Sequence, residues 1–226
     1  SIRSRVLESA LRRVKMRTAR RGSFVASTKG LADETATRLN LGSGQVQQIP
    51  IAIPTHIFSP GNMDQARGSL NLPLDRPIVG FASATNSKDA IKGVHFLHAI
   101  MARVRQRVPD ALLVTLDKSK EGGSESGPGS ATSTLGLAFI DSDRDLARFY
   151  RACDVVVVPS ILDAFNQVAA EALACGTPVV AFDNSGLSTV IQDEQTGLLS
   201  QAFDTQEFGD RVAELILDAK LRSLLS

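Results

Sequence analysis

Two apolar runs constrain the fold more than any other feature. Asp154-Val155-Val156-Val157-Val158 and Pro178-Val179-Val180-Ala181-Phe182 show no alternation of apolar and polar residues. A strand with one solvated face alternates, so strands like these are covered on both faces. Between them, Phe165 to Cys175 reads as an alanine-rich helix. The rhythm extends in both directions. Ile78 to Ala82, Ala111 to Leu116, Leu137 to Ile140 and Gly197 to Leu199 read as strands. Gly93 to Val108, Asp143 to Cys153 and Thr205 to Leu217 read as helices. Strands alternating with helices of about 10–15 residues predict right-handed βαβ units around a parallel sheet. The expected fold class is therefore α/β, with a doubly wound parallel sheet. Ligands of such sheets sit at the carboxyl ends of strands, here the loops after residues 82, 140, 158 and 182.

The first third of the chain is less regular. Residues 2–20 have Val6, Leu7, Ala10, Leu11 and Val14 on one helical stripe. Ser27 or Thr28 can cap a second helix running to Leu39, and Val46 to Ile53 is extended, with Pro50 and Pro54 preventing a helix. Residues 59–77, with Pro60, Gly61, Gly68, Pro73 and Pro77 among polar residues, read as a linker. Residues 118–134 are a Gly/Ser-rich stretch that cannot bury a core and is expected to be mobile.

Composition narrows the function classes. At 43% hydrophobic and 22% charged, the chain is ordinary globular material, and it contains no apolar run of the ~20 residues needed to span a bilayer. A basic start without an apolar stretch behind it predicts no signal peptide. Absence of Trp, with a single Tyr, argues against base-stacking platforms. The two cysteines, Cys153 and Cys175, form no CxxC pair and read as reduced packing residues of a cytoplasmic protein. The net charge of +1 conceals a basic N-terminus, with Arg3, Arg5, Arg12, Arg13, Lys15, Arg17, Arg20 and Arg21 against Glu8. That stretch is a solvated helix face or a contact for the inner membrane surface; no nucleic-acid partner is expected. His95 and His98 lack a third partner at ligand spacing, and no metal site is expected. No phosphate-cradling Gly-Lys-Ser/Thr loop and no serine nucleophile elbow is present.

The residues that carry chemistry lie between Pro159 and Phe182. The buried strand ends at Val158, a short loop follows, and a helix opens near Asn166. A helix N-terminus just past a strand's carboxyl end presents backbone N–H groups to an anion. Asp163 lies in the loop and Glu171 within the helix, among Ala169, Ala170, Ala172 and Ala174. A carboxylate in so apolar a helix suits the acceptance of hydrogen bonds from ribose hydroxyls. The plainer alternative is that Asp163 caps the helix and Glu171 pairs with a loop donor.

This stretch resembles the signature of retaining glycosyltransferases of the GT-B fold, in the large family four, or group 1, that makes bacterial polysaccharides. Asp163, seven residues, Glu171, then Ala172-Leu173-Ala174-Cys175-Gly176-Thr177-Pro178-Val179-Val180-Ala181 follow the family's pattern. Tyr150-Arg151-Ala152-Cys153-Asp154, Lys92-Gly93, Gly186 and Thr196-Gly197-Leu198-Leu199 match in order. Phe24-Val25-Ala26-Ser27 and Ile49-Pro50 to Phe58-Ser59-Pro60 resemble the end of the family's N-terminal domain and its interdomain crossing. There are departures. Asp163 stands where the family usually has Glu. No arginine lies between Gly80 and Lys92, which leaves Lys88 as the candidate second cation. The crossing reads Ile51-Ala52-Ile53-Pro54 instead of the usual Asn-Gly, and the later glycine pair is Ser185-Gly186.

The resemblance implies a Rossmann-like C-terminal GT-B domain at residues 78–226. Residues 1–58 would be the remnant of the N-terminal acceptor domain and 59–77 the linker. The chain is expected to be the donor-binding half of the enzyme, excised or naturally truncated, and inactive alone. The implied reaction moves a sugar from a UDP- or GDP-linked donor to an acceptor hydroxyl with retention, in cell-surface polysaccharide or glycoconjugate synthesis. The acceptor would be a glycan or a lipid-linked molecule. No cofactor and no metal are implied; Lys92, helped by Lys88 and the Lys92-Gly93 turn, would hold the diphosphate. Backbone N–H groups of Asn166, Gln167 and Val168 would cradle its oxygens, Glu171 would bind ribose, Asp163 the donor sugar, and Phe139 and Ile140 the base. The alternatives are a non-catalytic nucleotide-sugar-binding module and a structural domain with a dead site.

Overall fold

The computed structural model describes residues 22–42, 44–83, 90–117, 134–138, 140–184 and 187–225. The expected helix over 2–20, the low-complexity stretch at 118–133, Lys88, Phe139 and Ser185-Gly186 lie outside them. The chain divides into two compact units, residues 1–52 and 53–226. In the first, β1 (Phe24–Ala26) pairs parallel with β2 (Val46–Gln48), with α1 (Lys29–Leu39) between them. The Thr28 side chain caps α1 by accepting the Leu31 N–H at 3.2 Å, and Asn40 ends it in the left-handed conformation. The ladder runs no further than Gln48, two residues before Pro50.

The second unit opens with a segment that is folded where a linker was expected. Helix α2 (Met63–Ser69) is capped by Asn62 and packs against α4 (Asp143–Ala152). Arg67 anchors it. The guanidinium is buried and donates to the Ala152 carbonyl at 2.9 Å, to the Leu74 and Arg76 carbonyls at 3.3 Å and to Asp154 Oδ2 at 2.8 Å. The same Asp154 oxygen accepts the Ile78 N–H at 2.7 Å. Upstream, Phe58 is buried with its ring 6.2 Å from that of Tyr150, and Arg151 binds the Ile57 and Ser59 carbonyls. The boundary accordingly falls before Ile53, not after residue 58.

The main sheet has six parallel strands in the order β5-β4-β3-β6-β7-β8. They are β3 (Ile78–Ser83), β4 (Leu112–Asp117), β5 (Thr134–Leu137), β6 (Val155–Val158), β7 (Val179–Asp183) and β8 (Leu198–Gln201). The alternation that β6 lacks in polarity appears in packing. Val156 and Val158 join the core under α4 and α5 (Gln167–Ala174), while Val155 and Val157 join the core under α3 (Leu97–Arg107) and α6 (Thr205–Leu217). Each fully buried valine contributes roughly 1.5–3 kcal/mol. A short α7 (Ala219–Leu224) follows.

Two elements depart from expectation. The third strand is Thr134–Leu137, not Leu137–Ile140, because β4 pairs Leu113 with Thr134 through Leu116 with Leu137. Ile140 has left the ladder by then. The helix expected from Gly93 starts only at Leu97, after 3₁₀ turns at Ala90–Lys92 and Val94–Phe96. Gly93 interrupts it with φ +73°, where an added Cβ would lie 1.8 Å from the Pro159 carbonyl oxygen.

Removing the guanidinium that staples α2 should be costly, because Asp154 would be left without its cation. Arg67→Ala is expected to lower unfolding stability by ~3–5 kcal/mol, measured by urea denaturation. A loss under 1 kcal/mol would show that α2 is held by its apolar contacts alone.

Candidate functional site

The sheet winds in opposite directions from its centre. From β3 the chain moves outward through β4 to β5, then returns to β6 on the other side of β3. Loops leaving the carboxyl ends of β3 and β6 therefore diverge, and a crevice opens between them. It holds a cavity of about 300 Å³. Its walls include Lys92 from the β3 side, Asp163, Asn166, Gln167, Val168 and Glu171 from the β6 side, and Ile140 beyond β5.

Two backbone contacts fasten the walls. Gly93 has no Cβ and seats its backbone against Pro159, and the Ile91 carbonyl accepts the Ile161 N–H at 2.7 Å. Gly93 itself is buried, and its backbone packs where a Cβ would not fit. The ammonium of Lys92 then lies 3.1 and 3.2 Å from the two carboxylate oxygens of Asp163.

The helix cap is Asn166, not Asp163. Asn166 Oδ1 accepts the Ala169 N–H at 2.9 Å, and its Nδ2 donates to Asp163 Oδ2 at 2.7 Å. Helix α5 consequently begins at Gln167, two residues later than expected. The cap satisfies the third helical N–H, while those of Gln167 and Val168, the first two, have no intrahelical acceptor. Asp163, freed from capping, becomes the bridge between the cation and the cap.

Glu171 lies one turn further along. Its Oε2 accepts the hydroxyl of Tyr150 at 2.9 Å. Burial pushes the Glu171 carboxyl above the usual carboxylate range; the Tyr150 hydroxyl pulls it back and Asp143 adds to the rise. Burial, with the nearby Glu171 charge, raises the Tyr150 phenol well above its usual value. The sequence shows Tyr150 only as part of a motif. In the structure it is buried with Ala147, Phe149 and Ala152 on α4 and lines the cavity. Ser83, Ser160 and Phe165 also line the cavity without having been singled out. Ser83 and Ser160 stand at strand ends, the places the sheet topology marks.

Cys153 and Cys175 are buried free thiols, and burial raises both, Cys175 to about 11. Among the described residues no three His, Cys, Asp or Glu side chains are gathered as a metal site, and no helix is long and apolar enough to cross a membrane.

A carboxyl whose folded pKa exceeds its unfolded value weakens the fold as it ionises. The penalty is absent below the unfolded value and complete above the folded one. Glu171→Gln should therefore raise the melting temperature of the ligand-free chain at pH 7.5, with the gain vanishing as the pH falls to about 4. A variant melting no higher than the parent at pH 7.5 would show that the carboxylate carries no burial penalty.

The chain was also compared with known proteins. Residues 76–218 match the family model described as glycosyl transferases group 1. The D-inositol 3-phosphate glycosyltransferase of Stackebrandtia nassauensis is 31% identical over 216 residues, covering 90% of this chain and 48% of that protein. Sucrose-phosphate synthase of Thermosynechococcus elongatus has 30% identity and a TM-score of 0.69, over 89% of this chain and 50% of that one. Anabaena HepE, solved with UDP-glucose, shares the fold at 20% identity with a TM-score of 0.75, over 94% of this chain and 59% of that one. The chain spans about half the length of the curated relatives it matches. With the family model covering most of the sequence and the doubly wound sheet matching solved enzymes of this class, the chain belongs to the group 1 glycosyltransferases and carries a Rossmann-like domain of their GT-B fold.

Proposed function

We propose that this chain is the donor-binding half of a retaining, metal-independent glycosyltransferase that moves a hexosyl group from a nucleotide diphosphate to an acceptor hydroxyl. The observation that carries this is the convergence of Lys92, Asp163, Glu171 and the open N-terminus of α5 on one cavity at the sheet's switch point. Family membership supports transfer as the chemistry, and HepE, a protein of the same fold, binds UDP-glucose. UDP is accordingly the first donor base to test, with GDP second.

In this mechanism the bond between the anomeric carbon and the diphosphate oxygen breaks while the acceptor oxygen bonds to the same carbon. The diphosphate leaves with the electron pair, and the hydroxyl proton passes to it or to water. Negative charge grows on the leaving group, where a fixed cation and preorganised N–H dipoles stabilise it most. Lys92 supplies the cation and Gln167 and Val168 the N–H groups, the work a divalent ion would otherwise do. Asp163, held by Lys92 and Asn166, is oriented toward the donor sugar. Glu171 accepts the ribose hydroxyls, and Ile140 closes the base end. Lys88 is the candidate second cation. Residues 1–52 belong, on this proposal, to the neighbouring acceptor domain, and the two buried free cysteines suit a cytoplasmic setting.

A thermal-shift panel of UDP, GDP, ADP and their sugars tests the donor site; a ligand at a hundred times its Kd adds ~2.7 kcal/mol. Lys92→Ala should weaken the bound diphosphate roughly tenfold and barely affect the corresponding nucleoside. Equal losses for the two would remove Lys92 from the phosphate site.

The chain alone should bind donor without transferring sugar, since most of the rate gain comes from holding donor and acceptor together in a preorganised cleft. A radiolabelled donor assay, following both transfer and hydrolysis, checks this. Robust transfer by the 226 residues alone would overturn the half-enzyme proposal.

A further inference from the structure

We infer that Tyr150 is a positioning residue: its hydroxyl holds one oxygen of Glu171 so that the other is presented to the ribose hydroxyls of the donor. The inference rests on the donor-site proposal above, which assigns the ribose to Glu171.

Tyr150 has no solvent exposure, and its ring is fixed between those of Phe58 and Phe149, with centroids 6.2 and 5.7 Å away. Its main chain is held as well, since its carbonyl accepts the Thr177 hydroxyl at 2.8 Å. The hydroxyl is thus delivered from a rigid seat, at 2.9 Å from Glu171 Oε2. Among the described residues no other hydrogen-bond donor reaches the Glu171 carboxylate. A glutamate on an exposed helix samples several rotamers; one pinned at Oε2 leaves Oε1 a defined direction into the cavity that both residues line. Preorganisation of this kind lowers the ordering cost of binding.

The groups around the carboxylate give it opposing influences. Tyr150 stabilises the ionised form, burial opposes it, and Asp143, on the same helix α4 as Tyr150, opposes it too. One turn on along α5, Cys175 keeps a raised thiol, with Arg151 beside it. Across the cavity Lys92 and Asp163 are paired with each other. The phenol is therefore the group whose removal makes Glu171 harder to ionise.

Three measurements on the full chain test this. The first is calorimetry with UDP and GDP, each beside its 2′,3′-dideoxy analogue. Tyr150→Phe should weaken the ribonucleotide about fivefold to tenfold and leave the dideoxy compound unchanged. Equal weakening of both would mean that Tyr150 only supports the fold, and no weakening of either would remove it from the site. In the second, the acid limb of ribonucleotide binding should move to higher pH in Tyr150→Phe, because Glu171 loses the donor that favours its charged form. An unmoved limb would overturn the inference.

The third measurement needs no variant at Tyr150. The chain has one Tyr and no Trp, so its near-UV emission reports on this phenol alone. Emission of the ligand-free chain should change between pH 8 and pH 4 as Glu171 takes up a proton, and the change should vanish in Glu171→Gln. A flat parent titration would break the proposed link. Glu171→Gln also separates the two proposals. If it leaves the preference for ribose over dideoxyribose intact, the ribose assignment of Glu171 fails. If it abolishes that preference while Tyr150→Phe keeps it, the positioning role alone fails.

Discussion

Everything in the candidate site depends on the reversal of winding between β3 and β6. Adjacent parallel strands ordinarily send their loops the same way over the sheet, and their carboxyl ends are covered. Here β3 feeds a helix on one face and β6 a helix on the other, so α3 and α5 leave the centre on opposite sides. The space between their N-termini is the one place where backbone from both halves of the domain can approach a ligand. Lys92 reaches it from the first half and Asp163 and Glu171 from the second. Their meeting is a consequence of topology before it is one of side-chain chemistry. Gly93 against Pro159 sets the closeness of that approach, and a larger residue could not occupy the position without moving the β6 loop.

The opposite end of the same strands is built for holding. At the amino ends of β3 and β6, Asp154 accepts from both the Arg67 guanidinium and the Ile78 N–H, and Arg151 donates to the carbonyls of residues 57 and 59. These are part-buried, charge-assisted contacts whose partners are largely main chain, so they tie an irregular segment to the sheet without depending on a long helix. The division between the ends is common to doubly wound sheets: the amino side carries stability and the carboxyl side carries ligands. It leaves the crevice free to hold carboxylates that burial disfavours, such as Glu171, because the fold is secured elsewhere.

What was legible in the sequence follows the same division. The unalternating runs that became β6 and β7 declared their burial, and α6 matched at both ends because an apolar stripe runs from a capping Asp204 to the C-cap at Asp218. Helix α2 was not legible. Seven residues containing Gly68 give no periodic signal, and what ties them to the domain is Arg67 reaching Asp154, 87 residues away in sequence. The third strand was misplaced because Leu137 to Ile140 is the more apolar run, whereas the register with β4 selects Thr134 to Leu137. In the site, residue types were visible and partnerships were not. Asp163 and Asn166 are both good caps, and only the geometry shows that the asparagine caps while the aspartate bridges. Tyr150 carries no readable role in the sequence, since its partner Glu171 lies 21 residues away.

The paired state of Lys92 has a consequence for recognition. An isolated lysine would draw any anion to the crevice, phosphate and sulfate included. With its ammonium at hydrogen-bond distance from both oxygens of Asp163, the pair presents little net charge, and simple anions gain less there. A ligand competes successfully only if it also occupies the N–H groups of α5 and satisfies Asp163 when the lysine turns to phosphate. The nucleotide sugar proposed as donor would do both, its hydroxyls donating to the carboxylate while its diphosphate takes the cation. Asn166 keeps one Asp163 oxygen in place through that exchange, being fixed itself by the helix it caps. On the proposed function the ion pair would act as a filter as much as a binding group, favouring a ligand that carries both donors and negative charge over one carrying charge alone.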